Sequence, residues 1–206
     1  MSWIEDMHER LSRPWPPRER VLTEGSGTGK PTREAAVLIP LYVRDRELWT
    51  LFTKRTDLVE HHKGQISFPG GARETADTTL WETAVRETEE EIGVPGGSVK
   101  LIGALPKLVT ITDFEVSPFV GAIPYPITFQ RHEKEVEAIF EIPLSYLLNP
   151  EVVEEKTVKW KGRNVNTLVY HYRGHAIWGV TAFILSEFLQ AVRGDNAAQE
   201  AGSELP

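Results

Sequence analysis

The sequence predicts a single layered domain of the α/β (α+β) type, on three observations. Apolar and β-branched runs alternate with segments of helical periodicity along most of the chain. A length of 206 residues suffices for one domain with a sizeable core, whereas division in two would leave small, weakly stabilised halves. The hydrophobic fraction of 40%, with six Trp and eight Phe, suits a packed globular protein, and no run approaches the roughly eighteen apolar residues of a membrane span.

In chain order, residues 3–12 (WIEDMHERLS) place Ile4, Met7 and Leu11 on one helical stripe, and Pro14, Pro16 and Pro17 forbid its continuation. The stretch 23–32 (TEGSGTGKPT) contains a Gly-Lys pair. It fails as a phosphate-binding loop, because Glu24 stands where that loop's first Gly is required and Pro31 where Ser or Thr follows the Lys. Residues 1–30 therefore read as a short helix and a flexible connector. From Glu34 the runs AAVLIPLYV and LWTLFTK, separated by the polar turn Arg44 to Arg46, form a hairpin. Leu80 to Ile92 is a helix with Ala84, Thr88 and Ile92 on one stripe, stopped by Gly93 and Pro95. Strands follow at Val99 to Val109, Val116 to Ile123 and Glu135 to Phe140, then a short helix at Leu144 to Leu148. Val152 to Trp160 and Thr167 to Tyr172 flank a polar turn containing Gly162, and Ile177 to Val192 is a final helix with Val180, Ile184, Phe188 and Val192 in phase. Residues 31–193 make up the domain, and 194–206, poor in apolar residues, form a disordered tail.

Composition narrows the chemistry. The absence of cysteine removes disulfides, thiolate metal sites and Cys nucleophiles, so a bound metal must be held by oxygen or imidazole. A formal charge of -7 argues against broad electrostatic binding to nucleic acid. A phosphate-bearing small molecule would approach a carboxylate-rich site once a divalent cation offsets part of the repulsion. Met1 to Asp6 offer neither the basic nor the apolar stretch of a secretory signal, so a cytoplasmic location is the default expectation. No serine lies in a G-x-S-x-G context.

On the Leu80 to Ile92 helix, Glu87, Glu90 and Glu91 stand at i, i+3 and i+4 and converge on one face. Spacing alone leaves two readings, a solvated acidic stripe or a site whose like charges are balanced by a divalent ion. The flanking sequence favours the second, because Pro69, Gly70 and Gly71 form a tight loop able to bring backbone close to a phosphate or metal.

The segment FPGGARETADTTLWETAVRETEEEIGV, Phe68 to Val94, resembles the Nudix box, G-x(5)-E-x(7)-R-E-U-x-E-E-x-G-U with U aliphatic. It matches at Arg86, Glu87, Glu90, Glu91, Gly93 and Val94. Thr88 replaces an aliphatic residue, and the distance from Gly71 to Arg86 is one residue longer than the pattern, with Asp77 at the position of the first Glu. The resemblance implies an α/β/α sandwich with a mixed β-sheet between helices, and a hydrolase in which Mg2+ or Mn2+ polarises a pyrophosphate and positions a water. It further implies Glu87 and Glu91 as leading metal ligands, Glu90 as a third, and Gly71 through its carbonyl. Arg86 would orient a Glu, with Asp77 as a further partner, unless the two form only a helix-end salt bridge.

Upstream, LFTKRTDLVEHHKGQISFPGG, Leu51 to Gly71, is similar to the extra motif of the coenzyme A pyrophosphatase branch, matching at Leu51, Thr53, Arg55, His62, Gly64, Gln65, Phe68, Pro69, Gly70 and Gly71. Glu60 departs from the Arg usual there, and His175 to Leu189 also resembles that branch. Coenzyme A carries a pyrophosphate and a 3'-phosphate, so Lys54, Arg55, His61, His62 and Lys63 are candidate phosphate contacts, with Gly70 in the substrate loop; each basic residue taken singly also reads as a surface charge. For the general base, the resemblance points to the region of Glu135, with Glu133 and Glu137 as rivals, or to an exposed polar edge with no such role. The implied reaction converts coenzyme A or acyl-coenzyme A to 3',5'-ADP and 4'-phosphopantetheine or its acyl derivative. A broad nucleoside diphosphate-X pyrophosphatase (ADP-ribose, NADH or nucleotide sugars) and a non-catalytic nucleotide-sensing module are the alternatives. No nucleic-acid or membrane partner is expected, and a homodimer is left open.

Overall fold

The computed structural model describes residues 2–15, 33–57, 64–110, 113–160 and 163–194. Its frame is the hairpin of β1 (Arg33–Arg44) and β2 (Glu47–Arg55), turned by Asp45 and Arg46, both at left-handed φ of 52° and 65°. The two strands pair only near that turn, from Leu41 opposite Thr50 to Arg44 opposite Glu47. Beyond it they diverge, and residues 66–72 enter the gap: β3 (Ile66–Ser67) pairs with β2, and β4 (Gly70–Ala72) pairs with β1. The sequence predicts a tight loop at Pro69, Gly70 and Gly71. It is sheet because Gly70, at φ 154°, lets the backbone pass so close to Ala36 that a side chain would collide with that residue's carbonyl.

Strand β7 (Phe114–Ala122) lies parallel to β1 on its other side, and every other pairing of the sheet is antiparallel, so the sheet is mixed as expected. Strand β8 (Val136–Pro143) pairs with β2, while β5 (Lys100–Ala104) and β6 (Leu108–Val109) pair with β7. One continuous strand had been expected from Val99 to Val109. Pro106, which has no N–H to give a ladder, falls in the break between β5 and β6.

Alternation along β1 separates two cores. Ala36, Leu38 and Tyr42 face the helix α2 (Leu80–Ile92), whereas Ala35, Ile39 and Leu41 face the opposite layer. That layer contains α1 (Trp3–Leu11), α3 (Leu144–Leu148) and α4 (Gly179–Arg193). Helix α1 packs on β5 and α4 through Met7 and Leu11, 2% and 5% exposed, and belongs to the core. A Ser2/Glu5 capping box starts it.

A separate antiparallel sheet of β9 (Val153–Trp160), β10 (Arg163–Tyr172) and β11 (His175–Trp178) follows. It joins the first sheet through the Tyr172 hydroxyl, which donates to the Glu141 carbonyl at 3.1 Å, and through the Phe140 and His175 rings, 4.6 Å apart. The helix expected from Ile177 begins instead at Gly179, because Ile177 and Trp178 pair with β10 and Gly179 turns the chain at φ 65°. Ile177 falls in phase with Val180 and Ile184, so helical periodicity alone absorbs it. The connector at 23–32, the Gly162 turn and the tail beyond residue 194 lie outside the described residues.

Candidate active site

Helix α2 is fixed at both ends. The Thr79 side chain accepts from the Glu82 N–H, Glu82 answers to the Thr79 N–H, and Gly93 closes the helix in the left-handed conformation at φ 73°. Thr88, fully buried where an aliphatic residue was the pattern, satisfies its hydroxyl by donating to the Ala84 carbonyl at 2.7 Å. The helix thereby keeps its buried face and turns one edge toward β2 and β4.

Along that edge the three glutamates differ. The Glu91 carboxyl is buried, at 2% exposure. The Thr53 hydroxyl reaches its Oε2 at 3.3 Å and an Arg55 guanidinium nitrogen reaches Oε1 at 3.5 Å. Burial pushes its pKa up to about 8, against the Arg55 charge and with help from the neighbouring Glu87. The Glu87 pKa is also raised, chiefly by burial, while Arg86 opposes the rise. Glu90 is mostly exposed and meets Arg86 at 3.1 Å.

Gly71 is the counterpart of Glu87. A methyl group there would meet the Glu87 carboxyl at 2.5 Å, so any larger residue would force that carboxyl to move. Arg86 ties helix and strand together: its Nε and one Nη donate to Asp77 at 3.0 and 3.1 Å, and the latter also donates to the Ala72 carbonyl at 3.2 Å. Its other Nη donates to Glu87 at 3.0 Å. Asp77, almost buried, additionally accepts from the Thr83 hydroxyl and the Glu74 N–H, each at 2.9 Å. The Arg86 hydrogen bonds hold the Asp77 carboxyl well below the usual carboxylate range. The same guanidinium thus hydrogen-bonds both Asp77 and Glu87. A cleft of about 410 Å³ that includes Ala72, Arg73 and Asp77 adjoins this frame without including Glu87 or Glu91.

Of the three rivals at the start of β8, Glu135 has a charge that contributes in a minor way to raising both Glu87 and Glu91. It sits in the turn before β8, half-exposed, 3.6 Å from His132. Glu137 pairs with Lys54 at 2.7 Å, and Glu133 points outward beside Arg131. Lys54 is accordingly engaged with Glu137. Glu60, His61, His62 and Lys63 lie outside the described residues. Thr53 was not singled out as a site residue, although it alternates with Leu51 and Arg55 on the strand face beneath α2.

Among the described residues no three carboxylate or imidazole groups already converge at metal-ligand spacing, because Arg86 lies between Glu87 and Glu90. The donor set nevertheless fits a hard divalent cation. Glu87 and Glu91 lie one turn apart, all their donors are oxygen, and burial makes the ionised form of Glu91 costly unless a cation is held beside it.

A family profile described as NUDIX domain matches residues 32–168, more than half of the chain. The chain belongs to the Nudix family. Relatives named "Uncharacterized Nudix hydrolase NudL" include a protein of Enterobacter sp. (strain 638), 39% identical over 155 residues, covering 75% of this chain and 80% of that protein. Another, from Yersinia pestis (strain Pestoides F), is 34% identical over 191 residues, covering 93% of this chain and 96% of that protein. Among solved structures, a MutT/nudix family protein from Enterococcus faecalis aligns with 94% of this chain and 70% of its own at TM-score 0.48 and 13% identity. This Nudix protein is accordingly a hydrolase, a pyrophosphatase of nucleoside diphosphate-X substrates in a family that generally uses divalent metal ions. No helix among the described residues is long and apolar enough to cross a membrane.

Proposed function

We propose that this Nudix hydrolase cleaves the pyrophosphate of coenzyme A or its acyl derivatives. Water adds to one phosphorus, the bridging P–O bond breaks, and the products are 3',5'-ADP and 4'-phosphopantetheine or its acyl form. The buried Glu91 beside Glu87 carries the hydrolytic part of this reading, since an incompletely offset carboxylate pair under a glycine strand is where a cation would be held. Glu87 and Glu91 would hold Mg2+ or Mn2+, with Glu90 and the Gly71 carbonyl as further donors; bound there, the ion would stabilise charge on the phosphoryl oxygens and make the water more nucleophilic. Arg86 keeps Glu87 in place through its anchor on Asp77. Glu135 takes the proton from the attacking water, its charge lying within reach of both inner glutamates. Arg55, about a quarter exposed at the rim of the site, is the described basic residue placed to meet a substrate phosphate.

The coenzyme A preference rests on the resemblance of residues 51–71 and 175–189 to that branch, with His62 and Lys63 as further phosphate contacts and Gly70, in β4 rather than a loop, as a backbone contact. Rates on coenzyme A, dephospho-coenzyme A, ADP-ribose and NADH, each with Mg2+ and with Mn2+, test it. Coenzyme A should have the highest kcat/KM. A preference for ADP-ribose would replace this substrate with a broader one.

A further inference from the structure

We propose that Thr53 is a positioning residue for Glu91, so that part of the segment resembling a substrate-recognition motif acts on the reaction through the metal site. The inference rests on the reading of Glu91 as a metal ligand. Thr53 is fully buried in β2, on the face that carries Leu51 and Arg55 beneath α2. Its backbone is held by pairing opposite Ser67 of β3. The hydroxyl has one proton and two acceptors at hand, Glu91 Oε2 at 3.3 Å and the Ser67 carbonyl at 3.5 Å. Glu91 Oε2 is the nearer of the two and, once a bound cation keeps the carboxyl ionised, the stronger acceptor, so the proton goes there.

Two properties of these side chains give that bond its effect. The last torsion of a glutamate is broad and roughly two-fold, so an unrestrained carboxyl presents either oxygen in many orientations. Threonine is β-branched and stiff at χ1, so a buried Thr aims its hydroxyl in one direction. Fixing Oε2 on Thr53 leaves Oε1 facing the Arg55 guanidinium, 3.5 Å away. The carboxyl plane is thereby restricted to one orientation, so less ordering remains to be done when a cation binds.

The test uses the full chain carrying Thr53→Val, which keeps the branched shape without the donor, and Thr53→Ser, which keeps the donor. Mn2+ binding is measured directly by electron paramagnetic resonance without substrate, and kcat and KM are measured on coenzyme A and ADP-ribose. Thr53→Val should weaken Mn2+ binding about tenfold and lower kcat for both substrates by one common factor, with KM little changed. Thr53→Ser should restore binding to within about threefold of the parent. Unchanged Mn2+ affinity in Thr53→Val, a loss confined to coenzyme A, or a Ser variant as impaired as Val would each overturn the proposal. Thr53→Ala repeats the comparison if valine disturbs the packing. Glu91→Gln is run alongside: full metal-dependent turnover in that variant would remove the underlying reading, whereas its loss beside an unaffected Thr53→Val would remove only the role of Thr53.

Discussion

Replacing Asp77 by Asn keeps the shape of the side chain and removes the charge that anchors Arg86. In the parent, that carboxylate accepts two bonds from Arg86, at 3.0 and 3.1 Å, and one each from Thr83 and Glu74, both at 2.9 Å. Breaking a buried ion pair by removing one partner costs about 3–5 kcal/mol. Arg86 is 21% exposed, which screens the pair, and Asn keeps one acceptor, so a loss of about 2–3 kcal/mol is expected at pH 7. With a urea m-value of about 2–3 kcal/mol/M, the unfolding midpoint should fall by about 1 M. The sign of the pH dependence is fixed by the depressed pKa: the contribution is fully present above the ordinary carboxyl value near 4 and is lost as pH falls through the folded value. The difference between parent and variant should stay constant from pH 6 to 8 and shrink below about pH 4. Turnover should fall about tenfold, since Arg86 is then free to shift on Glu87. A variant within about 0.5 kcal/mol of the parent at pH 7, or a difference that widens as pH is lowered from 6 to 3, would refute the reasoning.

Three other perturbations have defined outcomes. In chelator, Glu91→Gln should be more stable than the parent, because a carboxyl with a pKa raised to about 8 destabilises the fold increasingly as pH climbs from its ordinary 4.5 toward 8. The gain should be about 4 kcal/mol at pH 8 and near zero below pH 4 in thermal or denaturant unfolding, and a parent as stable as the variant at pH 8 would contradict it. Gly71→Ala places a methyl against the Glu87 carboxyl, so kcat should drop at least about tenfold with about 1–2 kcal/mol of stability; unchanged kcat would show that Glu87 is not confined there. Among Glu133→Gln, Glu135→Gln and Glu137→Gln, only the Glu135 change should lower kcat by about a hundredfold; equal effects at all three positions would discard its role as base.

The acidic helix was legible in the sequence because Gly93 and Pro95 mark its end and Ala84, Thr88 and Ile92 its stripe; the Thr79 and Glu82 cap that starts it is seen in the structure. The ranking of its glutamates was not. Spacing puts Glu87, Glu90 and Glu91 on one face, but only packing against β2 and β4 buries two of them and leaves Glu90 outside. Strand β4 escaped because a strand of glycines carries no alternation, and its pairing depends on how far β1 and β2 diverge. The contact of Thr53 with Glu91 spans 38 positions and joins a strand to a helix, yet its parity with Leu51 and Arg55 was available once Leu51 is assigned to the core beneath α2. Glu135 was found through family resemblance, and its placement in a turn depends on β8 beginning at Val136.

The account turns on Glu91 acting as a metal ligand in pyrophosphate hydrolysis. The direct measurement is Mg2+-dependent turnover of coenzyme A by Glu91→Gln at saturating substrate and metal, with 3',5'-ADP and 4'-phosphopantetheine resolved as products and folding verified by its unfolding transition. A loss of about a hundredfold or more in kcat by a folded variant is the predicted result. Turnover within about twofold of the parent, with the same Mg2+ dependence, would contradict it.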